Sequence, residues 1–433
     1  MRAAATVLLM AALPAPLCAQ QPPAGAQDAA SSPLRGAAER VVRVLRGEQS
    51  AAAVFAPSFL AAVPEAQLRT LTAQFEREHG RLLAVEALTP AGDAAANVTL
   101  RFERALARAG MTIETGAPHR VTGLRITSFE PLGDNAGKIA ADLAALPGRT
   151  AAWFGPLGGG APVLSHNADT QLPLGSAFKL YVLAALDRAV REGRHRWDQV
   201  VPLAARSYPS GLTQDWPADT PVTLATLATL MIQISDNTAT DRLIALLGRD
   251  RVEAEMRLTN PRAAASLPFL TTRELFVIKA DPALRARFAA AGEGARREIL
   301  REIAARFDPP AQIGAAFAGP PIASDRLEWF ASPQELAALL NGFTGPEMTR
   351  IRGILAANNG GIDAATAARW RSIGYKGGSE PGVLNLTWLL QDRAGNWHML
   401  TLGWNDPAAP VDTARLHALA MRMLALAPLA PAP

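Results

Sequence analysis

The 433-residue chain has a single cysteine, Cys18. It falls in an opening stretch where Met1-Arg2 precede an apolar run to Leu13 and small residues end at Ala19. That order is the pattern of a secretory signal, and the expected cut follows Ala19. Leu17 is bulky where a lipoprotein signal wants a small residue, so plain cleavage of residues 1–19 is expected and not lipidation. The mature chain would then lack cysteine, which excludes disulfides, thiolate metal sites and a cysteine nucleophile. The apolar run is too short to cross a bilayer, so no membrane span is expected and the location reads as periplasmic or secreted. His79, His119, His166, His195, His398 and His417 show no metal-ligand spacing, which disfavours a zinc hydrolase. No metal or cofactor is expected. Losing Arg2 lowers the formal charge from +4 to +3, and the arginines are scattered without basic blocks or interleaved aromatics. A nucleic-acid partner is therefore excluded. Gly175-Ser176-Ala177-Phe178 is no G-x-S-x-G elbow, which removes the Ser-His-Asp esterase reading.

Length favours two domains, since one core rarely serves so many residues. Residues 20–33 read as a linker rich in Gln, Pro and Ala. Residues 34–132 form a smaller module. Ala37, Val41, Val42 and Leu45, then Phe55 to Phe75, repeat at helical spacing. Segments 82–86, 96–102, 111–115 and 119–126 alternate as strands do. Helices followed by antiparallel strands imply an α+β layer. On its helix, the group Glu76, Glu78 and His79 reads as a solvated face.

The second domain, 138–428, opens with a helix from Lys138 to Leu146. A strand pair, 151–155 with 161–164, should follow across a glycine-rich turn. Many helices come next, then strands 384–390 and 397–404 flanking a turn at Asp392–Asn396, and a last helix 415–426.

Within that domain, Ser176 and Lys179 stand three residues apart at the head of an apolar helix pattern. Side chains so spaced share a helix face, so the amine can reach the hydroxyl. A serine attacks only when a base takes its proton, and an apolar setting lowers a lysine's pKa towards that task. Alone, such a pair is equally an ordinary helix start with Ser176 as N-cap. Downstream, however, lie Ser235-Asp236-Asn237 and Tyr375-Lys376-Gly377-Gly378-Ser379.

These three elements, in this order, resemble the S-x-x-K, S-D-N and K-T-G motifs of class A β-lactamase-like serine hydrolases and penicillin-binding proteins. Residues 223–248 are similar to that family almost throughout, and the likeness runs over roughly 138–428. The resemblance implies an α+β fold with helices on an antiparallel sheet, a small-molecule acyl substrate such as a β-lactam, and an acyl-serine intermediate. It makes Ser176 the nucleophile and Lys179 its base. Ser235 would relay the proton, Asn237 would donate to the substrate's amide and help hold Lys179, and Lys376 would bind a carboxylate beside Gly377 and Gly378. The N–H groups of Ser176 and Ser379 would form the oxyanion hole, and Asp236 would be structural. A monomer is the default. The first module resembles the cystatin-like or steroid-isomerase-like unit of some two-domain relatives, with a binding or positioning role.

Three departures bear on turnover. Gly377 replaces the family's threonine or serine, removing a hydroxyl that helps grip a carboxylate. Residues 271–325 are surplus, including a charged helix at 292–306. No E-x-x-L-N glutamate is found to activate the deacylating water. Glu274, Asp325 and Glu328 stand nearest to that role, and each reads as a surface or cap residue. An enzyme that hydrolyses β-lactams or esters and a sensor that is acylated but turns over poorly both fit these residues.

Overall fold

The structure, a computed structural model, describes residues 32–203, 206–304 and 319–427. The expected signal peptide, and the linker apart from its last two residues, lie outside them. The chain divides between Asp134 and Asn135 into two units.

The first unit packs α1 (Pro33–Leu45), α2 (Pro57–Ala62) and α3 (Glu65–His79) with a four-stranded antiparallel sheet. The strands β1 (Leu82–Pro90), β2 (Ala95–Phe102), β3 (Ala105–Ile113) and β4 (Val121–Pro131) lie in sequence order. Ser32 caps α1 through Arg35 N and Pro33 takes its first position, where a missing N–H does no harm. Leu34, Ala37, Val41 and Val44 enter a core with Phe55, Leu100, Phe102 and Met111. Strand β3 starts at Ala105, six residues before the expected segment, because Ala105–Gly110 lacks the β-branched residues that mark a strand. The reading of a wholly solvated acidic face also fails. His79 stacks on Phe129 with ring centroids 4.0 Å apart, and Glu76 accepts from Leu82 N at 3.2 Å. Only Glu78 of the three is exposed.

The second unit has the serine β-lactamase-like arrangement. After α4 (Ala136–Ala144) come β5 (Arg149–Pro156), β6 (Leu164–His166) and β7 (Leu172–Pro173). A helical region follows, with α5 (Lys179–Arg191), the small pair β8 (Val200–Pro202) and β9 (Pro221–Thr223), α6 (Leu224–Gln233) and α7 (Asn237–Leu247). It continues through α8 (Arg249–Thr259), α9 (Thr272–Ala280), α10 (Pro282–Ala290) and α11 (Glu293–Glu302). Then come β10 (Phe330–Ala331), β11 (Ser372–Glu380), β12 (Val383–Gln391) and β13 (Trp397–Asn405), and a closing helix, Thr413–Ala425. The main sheet has the order β11-β12-β13-β5-β6, every neighbouring pair antiparallel. The paired part of β6 starts at Leu164, three residues later than expected.

Strand β12 is buried on both faces, so its sequence is mostly apolar, and the polar Asn385 and Thr387 within it are buried as well. One face packs Trp388, Leu400 and Leu402 against Ile139 and Leu143 of α4 and Leu416 and Met423 of the last helix. Leu389 and Met399 join the larger core built around α5, α6 and α7. Strand β11 lies at the edge of the sheet. The short pairing of β7 with β10 sets Trp329 beside the turn after β7, where Leu174 N donates to its carbonyl at 2.8 Å. Among the described residues no helix is long and apolar enough to cross a membrane.

Candidate active site

Two glycines bring the nucleophile turn against the edge strand. Ser176 lies in a 3-10 turn, Gly175–Phe178, that leads into α5. Gly175 has φ +47°, and a Cβ there would lie 2.8 Å from Ser379 N. A Cβ on Gly378 would lie 2.1 Å from Leu174 O and 2.3 Å from Ser176 N. No side chain fits at either place, so the backbone of the Leu174–Ala177 turn packs directly against that of Gly378 and Ser379. Replacing Gly378 with alanine must push the strand off the turn. Expected are a loss of about 3 kcal/mol in unfolding free energy and a roughly hundredfold fall in acylation rate, read by denaturant titration and by penicillin labelling.

Lys179 is fully buried. Its Nζ lies 2.7 Å from Ser235 O, 3.0 Å from Ser235 Oγ and 2.7 Å from Asn237 Oδ1. Among the described residues it makes no hydrogen bond to Ser176, contrary to the reading from spacing. Ser176 precedes α5 in the tighter turn, and all three directions around the amine are taken. Burial, and next the charge of Lys376, hold the Lys179 pKa well below the ordinary lysine range. Lys179 Nζ donates to all three oxygens, Ser235 O, Ser235 Oγ and Asn237 Oδ1.

Lys376 approaches the same hydroxyl from β11, its Nζ 3.1 Å from Ser235 Oγ and 2.6 Å from Gly377 O. Burial lowers its pKa to about 7. Ser235 itself has φ +60°, a conformation that a non-glycine residue holds only when its surroundings impose it. The next residue does so. Asp236 is fully buried and accepts from Leu212 N, Thr213 N, Thr213 Oγ1 and Ala239 N, all within 2.8 Å, capping α7 on the way. Asn237 is buried, and its Nδ2 donates to Tyr208 O at 3.3 Å.

The space of the family's threonine is filled. A Cβ on Gly377 would lie 2.0 Å from the Tyr375 hydroxyl, whose ring packs on Trp388. Glycine at this position thus follows from a large neighbour two residues earlier on the same strand face.

Of the three acids considered for water activation, two are accounted for. Glu274 caps α9 and pairs with Arg249 at 2.6 Å, while Asp325 pairs with Arg326 near the surface. Glu328 corrects the surface reading. It is buried, and it lines the same cleft as Ser176, Asn237, Trp329, Ser379 and Glu380. Its Oε1 is 2.8 Å from the fully buried Lys279 Nζ, and its Oε2 has no partner. Lys279 also pairs with Glu380. Sequence reasoning missed Lys279 and Glu380, although a lysine inside the apolar run Leu275–Ala280 was a signal. Trp329 stacks on Phe178 with centroids 3.6 Å apart, closing the cleft beside α5. Among the described residues no group of three or more His, Cys, Asp or Glu could hold a metal ion.

Residues 136–274 match the beta-lactamase enzyme family. That segment holds Ser176, Lys179, Ser235 and Asn237, while Lys376 and Glu328 lie beyond it. No curated protein matches the chain. Among solved structures, a beta-lactamase from Sphaerobacter thermophilus is 22% identical over 67% of this chain and 92% of that one, with a TM-score of 0.45. The putative class A beta-lactamase PenP from Rhodopseudomonas palustris is 18% identical over 67% and 97%, with a TM-score of 0.48. PBP-A is 18% identical over 68% and 95%, with a TM-score of 0.46. Within the second unit, residues 136–274 thus carry beta-lactamase-family sequence.

Proposed function

We propose that the protein is an exported serine hydrolase that opens β-lactams or cleaves related amides and esters through an acyl-enzyme on Ser176. The observation that carries this reading is the convergence of two buried lysines on Ser235 Oγ, with the Ser176 turn packed against the Gly378–Ser379 backbone. Lys179, uncharged, exchanges its contact with Ser235 Oγ for one with Ser176 and takes the Ser176 proton as Ser176 Oγ attacks the carbonyl carbon. The N–H groups of Ser176 and Ser379 hold the oxyanion, each contributing about 3 kcal/mol to the transition state. Ser235 passes the proton to the leaving nitrogen or oxygen, whose bond to carbon breaks, and Lys376 draws an anionic substrate group to the site. For deacylation, Glu328 Oε2 takes a proton from water, the water oxygen attacks the ester carbon, and Ser176 Oγ leaves and recovers the proton. A sensor that stays acylated is the second reading, favoured by the lack of an E-x-x-L-N loop. Export rests on residues 1–19, and the first unit is assigned a cystatin-like binding or positioning role on its element pattern alone.

The lysines give this reading a pH signature. Lys376 carries its charge below about 7, so a step that needs that charge weakens as pH rises through this value. The expected result is an acylation kcat/KM that declines above neutrality, measured with benzylpenicillin and with a carboxylate-bearing ester. Lys376→Arg keeps a charge at all working pH. It should move the falling limb upward by about two units or more, and a limb unmoved in that variant would remove Lys376 from the assignment.

A further inference from the structure

Behind the cleft lies an ionic cluster that Ser176, Lys179, Ser235 and Lys376 leave unused. Lys279 of α9 meets Glu328, two residues before β10, and Glu380, the last residue of β11. Its side chain is 0% exposed, and those of the two acids are 1% and 7%. One ammonium balances one buried carboxylate, and a second carboxylate would remain an uncompensated buried charge. The cluster therefore keeps a proton on one acid. Burial first, and Glu328 as well, push Glu380 up to about 8 against the pull of Lys279. The proton is held on the Glu380 side of the cluster while Lys279 stays at Glu328, and Glu328 lines the cleft with Ser176.

We infer that Lys279 and Glu380 are positioning residues for deacylation, Lys279 by fixing Glu328 through Oε1 and Glu380 by holding the proton that lets it do so. The inference rests on the acyl-serine reading above. Nothing in the three motifs implies it, and Lys279 lies outside the matched segment 136–274. The charged groups facing Glu380 are Lys279 and Glu328. Arg285 stands one step behind, donating to Lys279 O. When Glu380 ionises, the second negative charge competes for the ammonium and loosens its hold on Glu328. Deacylation should therefore slow as pH rises between 7 and 9.

The test uses the full chain and benzylpenicillin, with rapid quenching and intact mass to separate acylation from deacylation. Lys279→Met should slow deacylation roughly a hundredfold and acylation by less than about threefold. Equal slowing of both steps would reduce Lys279 to a packing residue and overturn the inference. Should that variant not fold, Glu380→Gln decides. Gln cannot ionise, so the fall of the deacylation constant between pH 7 and 9 should vanish, and a fall that persists would overturn the inference. A wild-type chain with no adduct on Ser176 would remove the acyl-serine reading itself, a failure distinct from either variant result.

Discussion

Ser176→Ala abolishes covalent labelling by a penicillin and lowers ester turnover by at least about 10⁴-fold. The size of the effect follows from the chemistry proposed. Without Oγ no acyl-enzyme forms, and the buried amine, the Ser235 relay and the two N–H donors have no intermediate to serve. The fold should be untouched, because Ser176 is only partly buried and caps no helix through its side chain. Labelling and a thermal melt on the same sample separate the two effects. Lost labelling with an unchanged melting temperature is the expected pair. Labelling that survives would place the nucleophile elsewhere.

Asp236→Ala has the largest expected effect on stability, about 4 kcal/mol. Alanine leaves four donors buried without an acceptor, those of Leu212, Thr213 (two) and Ala239. The loop cannot close over the gap easily. Gly211, at φ +121°, brings its backbone close enough that a Cβ there would lie 2.4 Å from the Asp236 carboxylate. Ser235, one residue earlier, would lose the frame that imposes its left-handed conformation, so activity should fall beyond what stability alone explains. Denaturant titration checks the first part, and labelling under conditions where the variant is folded checks the second. A change below about 1 kcal/mol would show that the carboxylate is not the loop's anchor.

Asp236 was expected to be structural through the resemblance alone, because only Ala239 N is three residues away while Leu212 and Thr213 stand 24 and 23 residues off. Ser176 and Lys179 were legible because their spacing fixed their neighbourhood, though not their hydrogen bond. That bond depends on where Ser235 and Asn237 arrive from, more than fifty residues away. Strand β12 was legible because apolar residues fill most of it, and the first half of β3 was missed where alanines replace the residues that mark a strand. The cluster behind the cleft could not be read. Lys279 stands 49 residues from Glu328 and 101 from Glu380. A charged residue gives no sign of its partner until the chain folds. Glycine at 377 looked like a lost hydroxyl, and only the position of Tyr375 explains it.

The central claim is a transient acyl group on Ser176. Intact mass of the full chain, followed over time after mixing with benzylpenicillin and mapped by peptide, tests it most directly. The account predicts an adduct on the Ser176 peptide that forms and then decays as hydrolysed penicillin accumulates. An adduct that never forms, or that sits on another residue, would contradict the assignment of the nucleophile. One that forms on Ser176 and stays would contradict the hydrolase and leave a sensor.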